Sequence, residues 1–231
     1  NTGRDTYLLP VTWKDGWPTI LDKGLAVPTV NKKAGLEHEE GLYNTGNFSY
    51  VDRFDSPKLD MRWMYLRNQD FSNYNLGSEG LTIKASNANI HEVKPITAVF
   101  RRQQHNTFTA ETQVTFNPSN DKELAGFALL QNEQYNFTFG KTKVGGRTAI
   151  VLTRAEKNNV VIGSKFLCEK CADKPVKLKI HGDGRYYDFS FSVDGHNWET
   201  IAQGVDAVNL STHQSGGFIG ACIGLYATKN K

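Results

Sequence analysis

From Leu81 to the end of the chain, apolar side chains return at every second position in short runs, and turn residues cut one run from the next. This alternation predicts strands over 81–85, 108–116, 125–130, 135–139, 148–153, 176–180, 186–193 and 218–227. In the run from Phe108, the residues Phe108, Ala110, Thr112, Val114 and Phe116 share one face, and Thr109, Glu111, Gln113 and Thr115 share the other. Asn117-Pro118-Ser119-Asn120, Gly145-Gly146, Gly182-Asp183-Gly184 and Asp194-Gly195 stand between runs as turns. Helical periodicity is nearly absent, so the fold class is all-β, a sandwich of two antiparallel sheets.

Two details refine that expectation. Tyr187, Phe189, Phe191 and Val193 form one apolar face, and Trp198 and Ile201 return on a pairing strand after the Asp194-Gly195 turn, so this hairpin belongs at the centre of the core. Residues 125–130 and 219–225 are apolar or small on both faces, as in strands covered from two sides. The beginning of the chain differs. Residues 7–13 read as a strand and 16–20 as its return, and two strands cannot make a domain. Residues 1–35 are therefore either the last hairpin of a preceding domain or an arm, 36–50 (with Glu37, Glu39, Glu40, Gly41, Asn44 and Gly46) a polar linker, and 51–231 the sandwich.

Composition narrows the function classes. At 231 residues and 39% hydrophobic content the chain can bury a substantial core. The net charge is only +3 and the basic residues are scattered, which argues against nucleic acid as a partner. No run approaches the roughly 18 apolar residues that span a bilayer, so no membrane partner is expected. The chain opens on Asn1 and not Met, which fits a leader or a domain upstream.

The densest chemistry is the segment Arg101-Arg102-Gln103-Gln104-His105 ahead of Phe108. Planar, multidentate donors suit sugar hydroxyls, and a ring such as Phe108 can stack on a pyranose, although the alternation turns Phe108 toward the core. A bonded strand entrance explains the same residues. Trp63 and Tyr65 share a face and are the aromatic pair expected to be exposed for sugar stacking; Trp13 and Trp17 belong to the arm and Trp198 to the hairpin core. A catalytic carboxylate pair would need a separation of about 5 to 9.5 Å, and only Glu111 and Asp188 qualify by strand parity. Cys168 and Cys171 have half of a zinc-site spacing without a second half, so they are expected as a local disulfide or two free thiols. Sequons stand at Asn47, Asn136 and Asn209.

Several segments together carry a resemblance. Gly3-Arg4-Asp5-Thr6-Tyr7-Leu8-Leu9-Pro10-Val11-Thr12-Trp13 with Asp15-Gly16-Trp17-Pro18 resembles the last blade of the five-bladed propeller of glycoside hydrolase family 43. Phe54-Asp55-Ser56-Pro57-Lys58-Leu59 with Trp63, Leu66 and Arg67 resembles the opening of the concanavalin A-like jelly-roll sandwich that follows this propeller in β-xylosidases and α-L-arabinofuranosidases. Arg101 to His105, Phe108 to Thr112, Ala125-Gly126 and Gln131-Asn132-Glu133 are similar to its middle strands.

The resemblance implies an accessory domain whose parent hydrolyses O-glycosidic bonds in xylo-oligosaccharides or arabinosides. The catalytic carboxylates would lie on the upstream propeller, leaving this chain inactive alone. Arg101, Arg102, Gln103, His105 and Phe108 match a loop that helps to close the propeller's pocket, although Asn106 replaces a common aromatic and leaves Phe108 or His105 to face the sugar. No cofactor is required. Such sandwiches often hold a structural calcium, to which Asp52 and Asp55 could contribute oxygens here, although no D-x-D-x-D-G spacing exists. The alternative is an independent carbohydrate-binding module for xylan-type polysaccharide. Homo-oligomerisation and a periplasmic, secreted or cytoplasmic location are all compatible with the resemblance.

Overall fold

The computed structural model describes residues 6–28, 31, 35 and 46–231. Two compact units divide the chain, one within Asp5–Asp52 and the other spanning Arg53–Lys231. In the first, β1 (Thr12–Lys14) pairs antiparallel with β2 (Trp17–Thr19), so the expected hairpin forms but is short. Trp13 and Trp17 on it are exposed. Residues 36–45 of the expected linker lie outside the described residues, as do Gly3, Arg4 and Asp5 of the propeller-like motif.

The second unit is a β-sandwich. Its strands are β3 (Tyr74–Gly77), β4 (Gly80–Ile83), β5 (Ala98–Arg102), β6 (Thr107–Val114), β7 (Leu124–Asn132), β8 (Tyr135–Val144) and β9 (Arg147–Glu156), followed by β10 (Asn158–Phe166), β11 (Val176–Asp183), β12 (Tyr186–Ser192), β13 (Glu199–Asp206) and β14 (Cys222–Thr228). Six strands form one antiparallel sheet in the order β10-β9-β8-β7-β14-β5, four form the other in the order β13-β12-β11-β6, and β3 and β4 make a separate hairpin. The last strand thus sits inside the larger sheet, between β7 and β5. Gly145 and Gly146, with φ of +57° and +80°, form the two-residue turn joining β8 to β9, a conformation that side chains with a Cβ resist.

The facing surfaces of the sheets make the core. Phe127, Leu129, Phe137, Phe139, Ile150 and Leu152 from the larger sheet meet Leu178, Ile180, Tyr187, Phe189 and Phe191 from the smaller. The alternation of β12 is therefore the inward face expected of it. The larger sheet is also covered on its back, where Ile90, Ile96, Ala98, Phe100, Leu124, Ala128, Leu130 and Tyr226 form a second buried cluster. This explains why β7 and β14 carry no polar face: each is buried from two directions. Across the sheet, Gly126 of β7 lies opposite Gly140 of β8.

Cys168 and Cys171 are joined in a disulfide around a single turn of 3-10 helix, which settles the alternative left open by their spacing. Trp198 departs from its expected place in the core. It is half-buried, and the Lys179 ammonium lies 3.6 Å from its ring centroid, because the bend at Asp194 brings the ring to the outer face of the smaller sheet. The sequon asparagines Asn136 and Asn209 are each only 1% exposed, so the folded chain offers neither as a glycan acceptor. No helix among the described residues is long and apolar enough to cross a membrane.

Candidate functional site

The polar segment occupies the end of β5, the loop 103–106 and the start of β6. Arg101 and Arg102 close β5 against Ile223 and Cys222 of β14, and the Gln103 amide extends the ladder by donating to the Ala221 carbonyl at 3.0 Å. Beyond that point the side chains divide into two groups. Gln103 turns inward and is 5% exposed; its Oε1 accepts from the Tyr187 hydroxyl at 2.9 Å, and its Nε2 donates to the His105 carbonyl at 3.1 Å. Burial pushes the Tyr187 phenol up to about 12, so it remains a protonated donor. Phe108 also faces inward, its ring edge-on to Tyr187 at 5.3 Å. The neighbouring strand makes room with Gly182, where a Cβ would stand 2.3 Å from the Phe108 ring.

The loop is further tied to the β11–β12 turn, where Gly184 N donates to the Asn106 carbonyl at 3.0 Å and Thr107 Oγ1 to Asp183 at 3.3 Å. Arg102 and Gln104 project to the surface, with Arg101 and His105 half-buried beside them. Gln103 and Phe108 therefore hold the loop in place, and the arginines and His105 supply its exposed chemistry. Changing Tyr187 to Phe should test this support. It leaves the Gln103 Oε1 without its donor, and the expected cost is about 1 to 3 kcal/mol in a denaturant titration; a cost below about 0.5 kcal/mol would show that the loop does not depend on this bond.

Arg101 links this loop to the second group of candidates. Its guanidinium lies 5.6 Å from the Trp63 ring centroid. The link arises because Met64 bridges Phe100 across the open edge of β5, so that Trp63 falls beside Arg101. Trp63 and Tyr65 are half-buried, in contrast to the exposure expected of them, because a neighbouring segment wraps around both. Phe54 stands 5.3 Å from Trp63, and Tyr65 meets Phe71 at 5.2 Å and Tyr74 at 5.0 Å, both edge-on. Below them Asp60 accepts two bonds from the Arg62 guanidinium, at 2.6 Å each. Those bonds hold its carboxyl well below the usual carboxylate range, with Arg101 adding to the effect. Sequence reasoning passed over Asp60, Phe71 and the role of Tyr187; the alternation of Trp63 and Tyr65 about Met64 was the available signal.

The other candidates have structural partners. Glu111 pairs with Lys179 at 3.0 Å, and Asp188 accepts from Gly204 N at 2.7 Å. They lie on β6 and β12, two strands apart with β11 between, or roughly 10 Å on strand spacing alone. Asp52 accepts from the Tyr50 hydroxyl at 3.0 Å, and Asp55 is exposed. Among the described residues no three His, Cys, Asp or Glu side chains converge as a metal site would require.

The order of these strands, with a large sheet backed on one side and a smaller sheet packed on the other, defines a concanavalin A-like sandwich. Residues 51–231 match the family model for the β-xylosidase C-terminal concanavalin A-like domain. The chain belongs to that family, the C-terminal accessory domain of glycoside hydrolase family 43 enzymes. A crystal structure of a GH43_12 protein retrieved from the capybara gut metagenome superimposes with a TM-score of 0.87 at 31% identity, covering 99% of this chain and 44% of that one. A non-reducing end α-L-arabinofuranosidase of Bacteroides ovatus is 26% identical over 235 residues, or 99% of this chain and 42% of that protein. A β-xylosidase of Bacillus subtilis is 26% identical over 242 residues, 96% of this chain and 42% of its own length. The chain thus spans less than half the length of these relatives.

Proposed function

We propose that this chain works beside a catalytic domain preceding it in a glycosidase that cleaves xylosides or arabinosides, and that the β5–β6 loop forms part of the wall of that domain's substrate pocket. In this reading residues 1–35 complete the preceding propeller, 36–50 connect, and 51–231 are the accessory sandwich. The observation that carries the reading is the division of the loop. Gln103 and Phe108 anchor it inward on Tyr187, while Arg102 and His105 are presented at one end of the sandwich. Guanidinium and imidazole donors there suit the hydroxyls of a terminal sugar. The coverage of the relatives agrees with a larger parent, since each is more than twice as long as the matched region.

The test is kinetic. Changing Arg102 or His105 to alanine in the full-length parent should lower kcat/KM on nitrophenyl xyloside or arabinofuranoside by about tenfold, equivalent to about 1.4 kcal/mol, with the melting temperature unchanged. The present chain assayed alone on the same substrates should be silent. Unchanged kinetics in both variants, or hydrolysis by the isolated chain, would overturn the proposal.

A further inference from the structure

We infer that the crossover from β10 to β11 is a redox-sensitive latch on the core: its disulfide fixes the backbone carbonyl that receives the buried Lys141 ammonium, and reduction parts the two. Lys141 lies on β8, in register with Ala125 and Ile150, and has no exposed surface. It shares a face of that strand with Phe137 and Phe139, so its side chain enters the space between the sheets. A charge held there needs an acceptor. Among the described residues no carboxylate forms an ion pair with it, and its Nζ donates to the Lys174 carbonyl at 2.9 Å. Burial pushes its pKa down, and the charge of Asp173 opposes that shift.

The acceptor belongs to the segment that carries the chain from the edge of the larger sheet into the smaller one. Both ends of this crossover are anchored, since Leu167 N donates to the Thr148 carbonyl at 2.9 Å and Val176 pairs with Val114. Between them stands a single 3-10 turn closed by the Cys168–Cys171 disulfide. Two hydrogen bonds carry its order to the cation: Lys174 N donates to the Cys171 carbonyl at 3.1 Å, and the Lys174 carbonyl receives Lys141. Cys168 is exposed and Cys171 half-buried, so a small dithiol reaches the bond from solvent. One thiolate of that reductant attacks a protein sulfur, forming a mixed disulfide and releasing the other cysteine, which takes up a proton. The second thiol of the reductant then gives up its proton, displaces the remaining cysteine and closes a disulfide within the reductant. The protein gains two electrons and two protons, and the dithiol is oxidised. With the turn open, the Lys174 carbonyl is free to face water, and Lys141 is left charged between the sheets. The loss falls on the core, because Leu167 and Val176 on either side of the crossover belong to it.

The inference does not depend on the pocket reading above, and this chain alone tests it. Reduction with dithiothreitol is verified by thiol titration in denaturant, where Cys168 and Cys171 join the free Cys222. It should lower the melting temperature by about 8 °C, more than so short a loop accounts for by itself. Lys141→Met fills similar space without a charge, and its fall on reduction should be smaller than the parent's by at least about 2 °C. A second measurement uses the parent only. Acetic anhydride followed by peptide mass spectrometry should leave Lys141 unlabelled in the oxidised chain and acetylate it about tenfold faster after reduction, normalised to the exposed Lys122. This readout stands even if Lys141→Met does not fold. The latch is overturned by an unchanged melting temperature on reduction, by falls in parent and variant that differ by less than about 2 °C, or by a Lys141 labelling rate that rises less than about threefold.

Discussion

Replacing Phe189 with alanine is expected to cost about 3 to 5 kcal/mol of folding stability, enough to leave a domain of ordinary stability close to its unfolding threshold. Phe189 has no exposed surface and lies on β12, opposite Ile180 of β11 and Ala202 of β13. Its ring meets Phe137 at 5.8 Å and Phe139 at 5.4 Å, both from the opposite sheet. Truncation removes the transfer contribution of the ring and leaves a cavity between two sheets whose hydrogen bonding prevents collapse. Urea unfolding should show the midpoint shift with little change in slope. A cost below about 1 kcal/mol would mean that the sheets do not meet at this ring.

Gly126→Ala should be among the most damaging single-methyl changes, at about 3 kcal/mol, the upper end of what overpacking usually costs. A Cβ at Gly126 would stand 2.3 Å from the Phe139 carbonyl oxygen and 2.5 Å from the Cα of Gly140, and would press on Leu178 at 3.0 Å. The first two obstacles are backbone atoms of a paired strand, so no rotamer change relieves them. Gly140 has the reciprocal constraint, with Ala125 O at 2.4 Å. Thermal unfolding of Gly126→Ala beside Gly145→Ala separates the causes. At Gly145 no atom lies within 4 Å and only backbone conformation is penalised, so the smaller loss belongs there. Equal losses would refute the steric account.

What could be read from the sequence follows the physics of burial. β6, β11 and β12 face the core on one side and water on the other, so alternation locates them within two or three residues at each end. β7 and β14 are apolar on both faces, and that property correctly announced a second layer behind one sheet. β10 was missed because it is an edge strand on which Val160 and Val161 are exposed, with no inward stripe to signal it. β5 was missed for the opposite reason: Ala98, Val99 and Phe100 are all buried and show no period. The site divides in the same way. Strand parity turned Phe108 inward, as found, but Gln103 belongs to a loop where parity does not apply, and its bond to Tyr187 spans 84 residues. The cluster of Trp63 and Tyr65 depends on a single bridge from Met64 to Phe100, which local pattern cannot reveal.

The place of β14 has a consequence for how the chain reaches this state. Its partners are β5 and β7, so the larger sheet cannot close until Cys222–Thr228 arrives, long after its first partner, Ala98–Arg102, has been made. During synthesis from the N-terminus, the inner edges of β5 and β7 stand unpaired while the remaining strands form around them. β7 is apolar there, as is β5 over Ala98, Val99 and Phe100, which is the combination that invites pairing with another chain. Vectorial emergence thus gives this sandwich a late and non-local closing step, with two strand edges open until it is taken.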